Sequence, residues 1–227
     1  HRKIKGSMYH TSYQYIKNIK GITDVNELEN YSTLKYIYDI VNLSTYLELN
    51  ENQKQMVFRL SLPRDDTKTL SVIPKNIKYL TTQQKLSPEL NLSHLIVLTL
   101  FNCDIPNNFA TFKTLQILRI IHPEFNSQLK FPSNSILKQL CIHSNKYNQP
   151  LENLPSELSS LIIRGRDFQQ PLIGLPKGLH TLIIKSIMWN HLVDKLPILL
   201  QRFEITSYDF DQPLDQISDT ITDLEIL

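Results

Sequence analysis

Glycine is scarce in this 227-residue chain (5 residues), cysteine scarcer (2), and the net charge is only +2 with the histidines neutral. The glycine count excludes collagen-like and glycine-rich disordered classes. So small a net charge excludes nucleic acid as the main partner of a charge-driven binder. No stretch approaches 18 consecutive apolar residues, so no transmembrane span and no membrane partner are expected. The basic start His1-Arg2-Lys3-Ile4-Lys5 is not followed by a signal-peptide core, and a cytoplasmic setting is predicted. The other end, Asp223-Leu224-Glu225-Ile226-Leu227, stops inside a predicted strand. A solenoid places a polar cap at such a point, so the residues read as a piece of a longer array.

The two cysteines, Cys103 and Cys141, fall two repeats apart. Strands stacked about 4.8 Å apart separate them by roughly 10 Å. A disulfide needs Cα atoms within about 7 Å, so both are expected as free thiols in a reducing compartment.

What the chain has in abundance is self-similarity. Leu95, Leu98 and Leu100 align with Leu115, Leu118 and Ile120, then with Leu137, Leu140 and Ile142. Leu158, Leu161, Ile163 follow, then Leu179, Leu182, Ile184, then Leu200, Phe203, Ile205, and finally Ile221, Leu224, Ile226. The period is 20 to 22 residues. Such a period marks a solenoid whose coils bury their apolar face only against their neighbours. Within each unit the last two apolar positions lie two apart, which is strand alternation. Ten residues after the first leucine comes an aromatic: Phe125, Tyr147, Phe168, Trp189, Phe210. At a fixed phase these predict one stacked inner column. Leu154-Pro155, Leu175-Pro176 and Leu196-Pro197 precede the next strands, where a residue without a backbone donor is tolerated.

The unit running from Leu154-Pro155-Ser156-Glu157-Leu158 through Leu161-Ile162-Ile163 to Phe168-Gln169-Gln170-Pro171-Leu172 resembles the FNIP repeat family. This is a short leucine-rich-like repeat of amoebal and giant-virus proteins. The resemblance is specific over residues 125–227 and looser over 73–121, where Ile105-Pro106-Asn107-Asn108-Phe109 stands in for the aromatic motif. It implies a protein-binding module, often joined to an F-box that recruits a ubiquitin ligase. No F-box is evident in residues 1–70, so the resemblance implies the substrate-recognition part of such an adaptor without its recruiting segment. A host-cytoplasm setting follows in the viral case.

The predicted fold is therefore a β-rich, right-handed solenoid of leucine-rich-repeat-like coils, an α/β-class architecture. A parallel sheet forms one face and irregular loops the other. The regular array is expected over residues 73–227. Residues 1–72 are expected as an irregular N-terminal region, either eroded repeats (near 16–19 and 34–37) or a cap. Asn50-Glu51-Asn52-Gln53-Lys54 and Arg64-Asp65-Asp66-Thr67-Lys68 are expected as exposed loops.

If the repeated Leu/Ile positions face inward, the alternate strand residues line the open face of the sheet in three columns. The middle of that face combines apolar Cys141, Ile162 and Ile183 with basic Arg119, His143, Arg164 and Lys185. It is expected to turn acidic at Glu204, Asp223 and Glu225. An apolar patch with a charged border suits a protein partner, for instance an acidic or phosphorylated segment. The alternative is that β-branched residues there serve only sheet propensity. The second functional class is a self-associating structural protein, such as a viral particle component.

Enzymatic readings fare worse. Cys141 and His143 have the types of a nucleophile and its base and share a strand face, but no third group or closed pocket accompanies them. The histidines lack zinc-ligand spacing, so no metal is expected, and His191 takes the place of Gln149, Gln170 and Gln212 as a structural hydrogen-bonding residue. No phosphate-cradling or zinc-protease motif occurs, and no cofactor is expected.

Overall fold

The computed structural model describes residues 41–64, 72–87, 89–105, 109 and 112–227. Segments 16–19, 34–37 and most of 64–68, which the sequence reading singled out, lie outside these residues. The described chain winds into a β-solenoid with one ten-stranded sheet, all parallel, strands in chain order. The strands are β1 (Val41–Asn42), β2 (Arg59–Leu62), β3 (Tyr79–Thr82), β4 (Val97–Phe101) and β5 (Ile117–Ile121). They continue as β6 (Gln139–His143), β7 (Ser160–Arg164), β8 (Thr181–Lys185), β9 (Arg202–Thr206) and β10 (Asp223–Ile226).

The repeat sets the register. Leu98, Leu118, Leu140, Leu161, Leu182 and Phe203 lie level with one another across six strands, as do Leu100, Ile120, Ile142, Ile163, Ile184 and Ile205. All twelve point into the core and are essentially fully buried. Burying a side chain of this size stabilises by about 1.5–3 kcal/mol, and here the gain recurs once per coil. The first leucine of each unit is buried beside them, from Leu95 to Leu200. Its N–H bonds back to the carbonyl three residues earlier, Leu158 to Pro155 at 3.1 Å, Leu179 to Pro176 at 3.1 Å and Leu200 to Pro197 at 3.0 Å. Proline fits because this turn uses its carbonyl and asks nothing of its nitrogen.

The aromatics form two stacks in place of the one column the spacing predicts, with no ring contact between Phe168 and Trp189. Phe125, Tyr147 and Phe168 stack with centroids 5.8 and 6.1 Å apart and planes within 7°. Trp189 stacks on Phe210 at 5.7 Å, and its indole N–H donates to the Gln170 carbonyl at 2.9 Å. Beside the rings runs a ladder of side-chain amides. Asn126 Oδ1 accepts from the Asn148 N–H and the Gln149 amide at 2.9 Å each, and Asn148 Oδ1 repeats this with Gln169 N–H and the Gln170 amide. His191 continues the row, its Nε2 2.7 Å from the Gln169 carbonyl, which agrees with a structural role. Serines just past the strands clip neighbouring coils: Ser144 Oγ donates to the carbonyls of Pro123 and Phe125, Ser186 Oγ to those of Arg166 and Phe168.

Upstream of residue 73, β1 and β2 belong to the same sheet, β2 pairing with β3. Two short helices lie between them, α1 (Leu43–Glu48) and α2 (Glu51–Met56). The stretch from Asn50 to Lys54 is therefore helical and not the expected loop. The cause is a capping box: Asn50 Oδ1 accepts from Gln53 N–H while Gln53 Oε1 accepts from Asn50 N–H, at 2.9 and 3.0 Å. No helix among the described residues is long and apolar enough to cross a membrane.

Candidate protein-docking face

Alternation turns every second strand residue outward, and the register sorts these residues into rows that cross the strands. Arg119 on β5 stands level with Cys141 on β6, Ile162 on β7 and Ile183 on β8. The next row places Ile121 beside His143, Arg164 and Lys185. The seven residues singled out in the sequence thus occupy two adjacent rows of one open face.

Their exposures differ. Arg164 is exposed, and Arg119, Cys141, His143, Ile162 and Lys185 are half-buried. Ile183 is buried, although it faces outward, so it offers little surface to a partner. Neither Arg119 nor Arg164 has an ion-pair partner among the described residues. Lys185 does: its Nζ is bound to Glu204 Oε1. Arg202 holds the other Glu204 oxygen at 3.3 Å and reaches Asp223 at 3.1 Å. The acidic turn expected at Glu204 is therefore not displayed to solvent. Its carboxylate is only 4% exposed, and two cations cover it. Burial alone would raise its pKa, but the hydrogen bonds from Lys185 and Arg202 outweigh that and hold it below the usual range.

Cys141 and His143 are not poised for nucleophilic chemistry. Burial pushes the thiol pKa up, against the opposing pull of Arg164 and Arg119. Burial and the Arg164 charge push the imidazole pKa down. An activated thiolate–imidazolium pair needs the opposite shifts. Cys103 is also a free thiol, buried and raised to about 11.

The structure adds a feature the three columns did not contain. Where the strands end, the outward alternation continues for two more residues, to Pro123, Asn145, Arg166, Ile187 and Tyr208. With His143, Arg164, Lys185 and Leu227 these residues line a groove of about 660 Å³ running across the coils of β5 to β10. Extending each column by one step past the strand would have found it. At that point the chain turns but has not yet left the face.

A continuous parallel sheet with loops on the return side, one short strand per coil and a leucine-lined interior define a leucine-rich-like solenoid, a class that works through its surface. Residues 147–186 match the family model described as FNIP Repeat. Comparison with curated protein sequences returns no match.

Proposed function

We propose that this chain is a non-enzymatic protein-binding module that docks its partner on the open face of the parallel sheet. The observation that carries the reading is the pairing of Ile162 and Cys141 with Arg119 and Arg164, two cations that no carboxylate among the described residues neutralises. Apolar area beside unspent charge is the composition of a docking patch. The two free thiols support a reducing, cytoplasmic setting. The family resemblance supports a finer role as the substrate-recognition part of a ubiquitin-ligase adaptor, tested by whether the complete reading frame co-purifies with a ligase core.

The docking face is tested by site-specific photo-crosslinking. A photoreactive phenylalanine analogue at Ile162 probes the sheet face, and one at Glu152 probes the return loops. A defined partner protein cross-linked from 162 and not from 152 is the expected result. Cross-links confined to 152 would move the site to the loops. Cross-links to a second copy of the chain would favour the self-associating structural alternative.

A further inference from the structure

The groove beyond the strand ends has its own chemical character, and it suggests what kind of segment the partner contributes. Its centre is cationic. Arg164 and Arg166 project from the coil of β7, with His143 on one side and Lys185 on the other. Its flanks are apolar: Ile121 and Pro123 at the β5 end, Ile187 and Tyr208 at the β8–β9 end. No side-chain carboxylate lines it, and Leu227 completes the wall beyond Tyr208. Two acids beside it are already engaged, Asp167 by Lys146 at 3.2 Å and more loosely by Arg166 at 3.9 Å, and Glu204 by Lys185 and Arg202. Arg164 therefore faces the groove without an ion-pair partner among the described residues. Arg166 is 72% exposed in its side chain, and Tyr208 is 90% exposed. A tyrosine so exposed beside Ile187 and Met188 leaves apolar surface in water, which is typical of an interaction site.

Resting on the docking reading above, we infer that this groove receives an extended acidic peptide segment of the partner, with carboxylates at its centre and apolar side chains at both ends. The dimensions suit a short linear segment. Five inter-strand steps of about 4.8 Å give a length of roughly 24 Å, the reach of about seven extended residues. Two carboxylates at the centre meet Arg164 and Arg166, where guanidinium forks bind carboxylates in two-point fashion. The flanking side chains cover Ile121 and Pro123 at one end and Ile187 and Tyr208 at the other. Nucleic acid fits this surface poorly, because the cationic centre is short and bounded by apolar residues, whereas a backbone tracker needs a continuous basic stripe.

The test is fluorescence anisotropy with a labelled Leu-Ile-Asp-Glu-Leu-Phe peptide and its Leu-Ile-Asn-Gln-Leu-Phe counterpart. The acidic peptide should bind the chain, bind more weakly as salt rises, and exceed the neutral peptide by about tenfold or more. Arg164→Glu combined with Arg166→Glu should abolish that preference, and Tyr208→Ala should weaken both peptides together. All three substitutions sit on exposed side chains, so melting temperatures and circular dichroism should match the parent. Glu152→Gln, exposed on the return loops and outside both the groove and the docking patch, should leave peptide binding unchanged. Equal affinity for the two peptides, retention of the preference in the double-Glu variant, or tighter binding of a single-stranded oligonucleotide overturns the inference. None of these results alters the cross-linking outcome at Ile162, so the groove and the docking face fail separately.

Discussion

Three glycines in adjacent coils separate steric from conformational causes of coil stability. At Gly165 an added Cβ would lie 1.8 Å from the Ser144 carbonyl oxygen on the preceding coil, and 2.9 Å from its carbon. Both obstacles are backbone, so no side chain can rotate away. Restoring ordinary contact requires the two coils to part by about 1.4 Å. Two hydrogen bonds flank this point and join the same coils, Ser144 N–H to the Arg164 carbonyl at 2.8 Å and Asp167 N–H to the Asn145 carbonyl at 2.9 Å. Parting the coils that far breaks or badly bends both. At about 1 kcal/mol net for each bond, with an overpacking cost of about 1–3 kcal/mol, Gly165→Ala should destabilise by roughly 3–5 kcal/mol. Gly174 has open space around it but a φ of +72°, so Gly174→Ala should cost about 1–2 kcal/mol through backbone strain alone. Asn153 occupies the equivalent point one coil earlier at φ +61°, so Gly174→Asn should be milder than Gly174→Ala. Gly178 has ordinary backbone and its nearest obstacle at 3.8 Å, so Gly178→Ala should be neutral or stabilising by up to about 1 kcal/mol. Urea unfolding followed by the fluorescence of Trp189, the single tryptophan and a buried one, ranks the variants by midpoint at constant slope. A Gly165→Ala protein that unfolds at the same urea concentration as Gly178→Ala would refute the close approach of these coils.

Phe168→Ala removes a fully buried ring stacked on Tyr147 and should cost about 3–5 kcal/mol; an unchanged melting temperature would take Phe168 out of the spine. Asn148→Ala leaves the Gln169 N–H and the Gln170 amide without their shared acceptor and should cost about 1–2 kcal/mol by thermal melting, whereas Glu152→Ala, exposed in the same coil, should cost nothing measurable. Glu204→Gln should destabilise by about 1–3 kcal/mol at pH 7. Because the folded pKa of Glu204 lies below its ordinary value, its contribution is complete above the ordinary carboxylate range and is lost as pH falls through the folded value. The gap between parent and variant should therefore close on acid titration, and a gap that widens below pH 4.5 would show the sign to be wrong. Cys103, with a thiol pKa near 11, should resist alkylation by iodoacetamide at pH 8 until the chain unfolds; rapid native-state labelling would contradict its burial.

The core of this molecule was legible in the sequence because a coil can bury its apolar side only against another coil. Leu161 must meet Leu140 on one side and Leu182 on the other, so the same residue type recurs at the same phase, and the period reports the packing. The stacked rings and the proline turns follow the same logic. The amide ladder was visible only as the recurring polar letters at Asn126, Asn148 and Asn190, which do not announce hydrogen bonds between coils. The capping box at Asn50 and Gln53 lay in plain view, but its polar residues were read as a loop.

The outward face obeys no such rule, and that is why it carries information about function. Its middle row runs Arg119, Cys141, Ile162, Ile183, Glu204, from cation through apolar residues to a carboxylate. Stacking does not demand this sequence, since the coils beneath these residues are nearly identical. What the sequence hid was the reach of the long side chains. Lys185 and Arg202 extend from neighbouring strands to close over Glu204, so that carboxylate is buried under two cations while Asp223 and Glu225 stay exposed. The same reach leaves Arg164 unmatched, because its register neighbours are His143 and Lys185 and no acid faces it across either strand. Ion pairing at Glu204 and Asp223 thus uses the cations of β8 and β9 and leaves Arg119 and Arg164 without ion-pair partners among the described residues. The cationic centre of the groove follows from which carboxylates are already occupied, and composition alone could not show it.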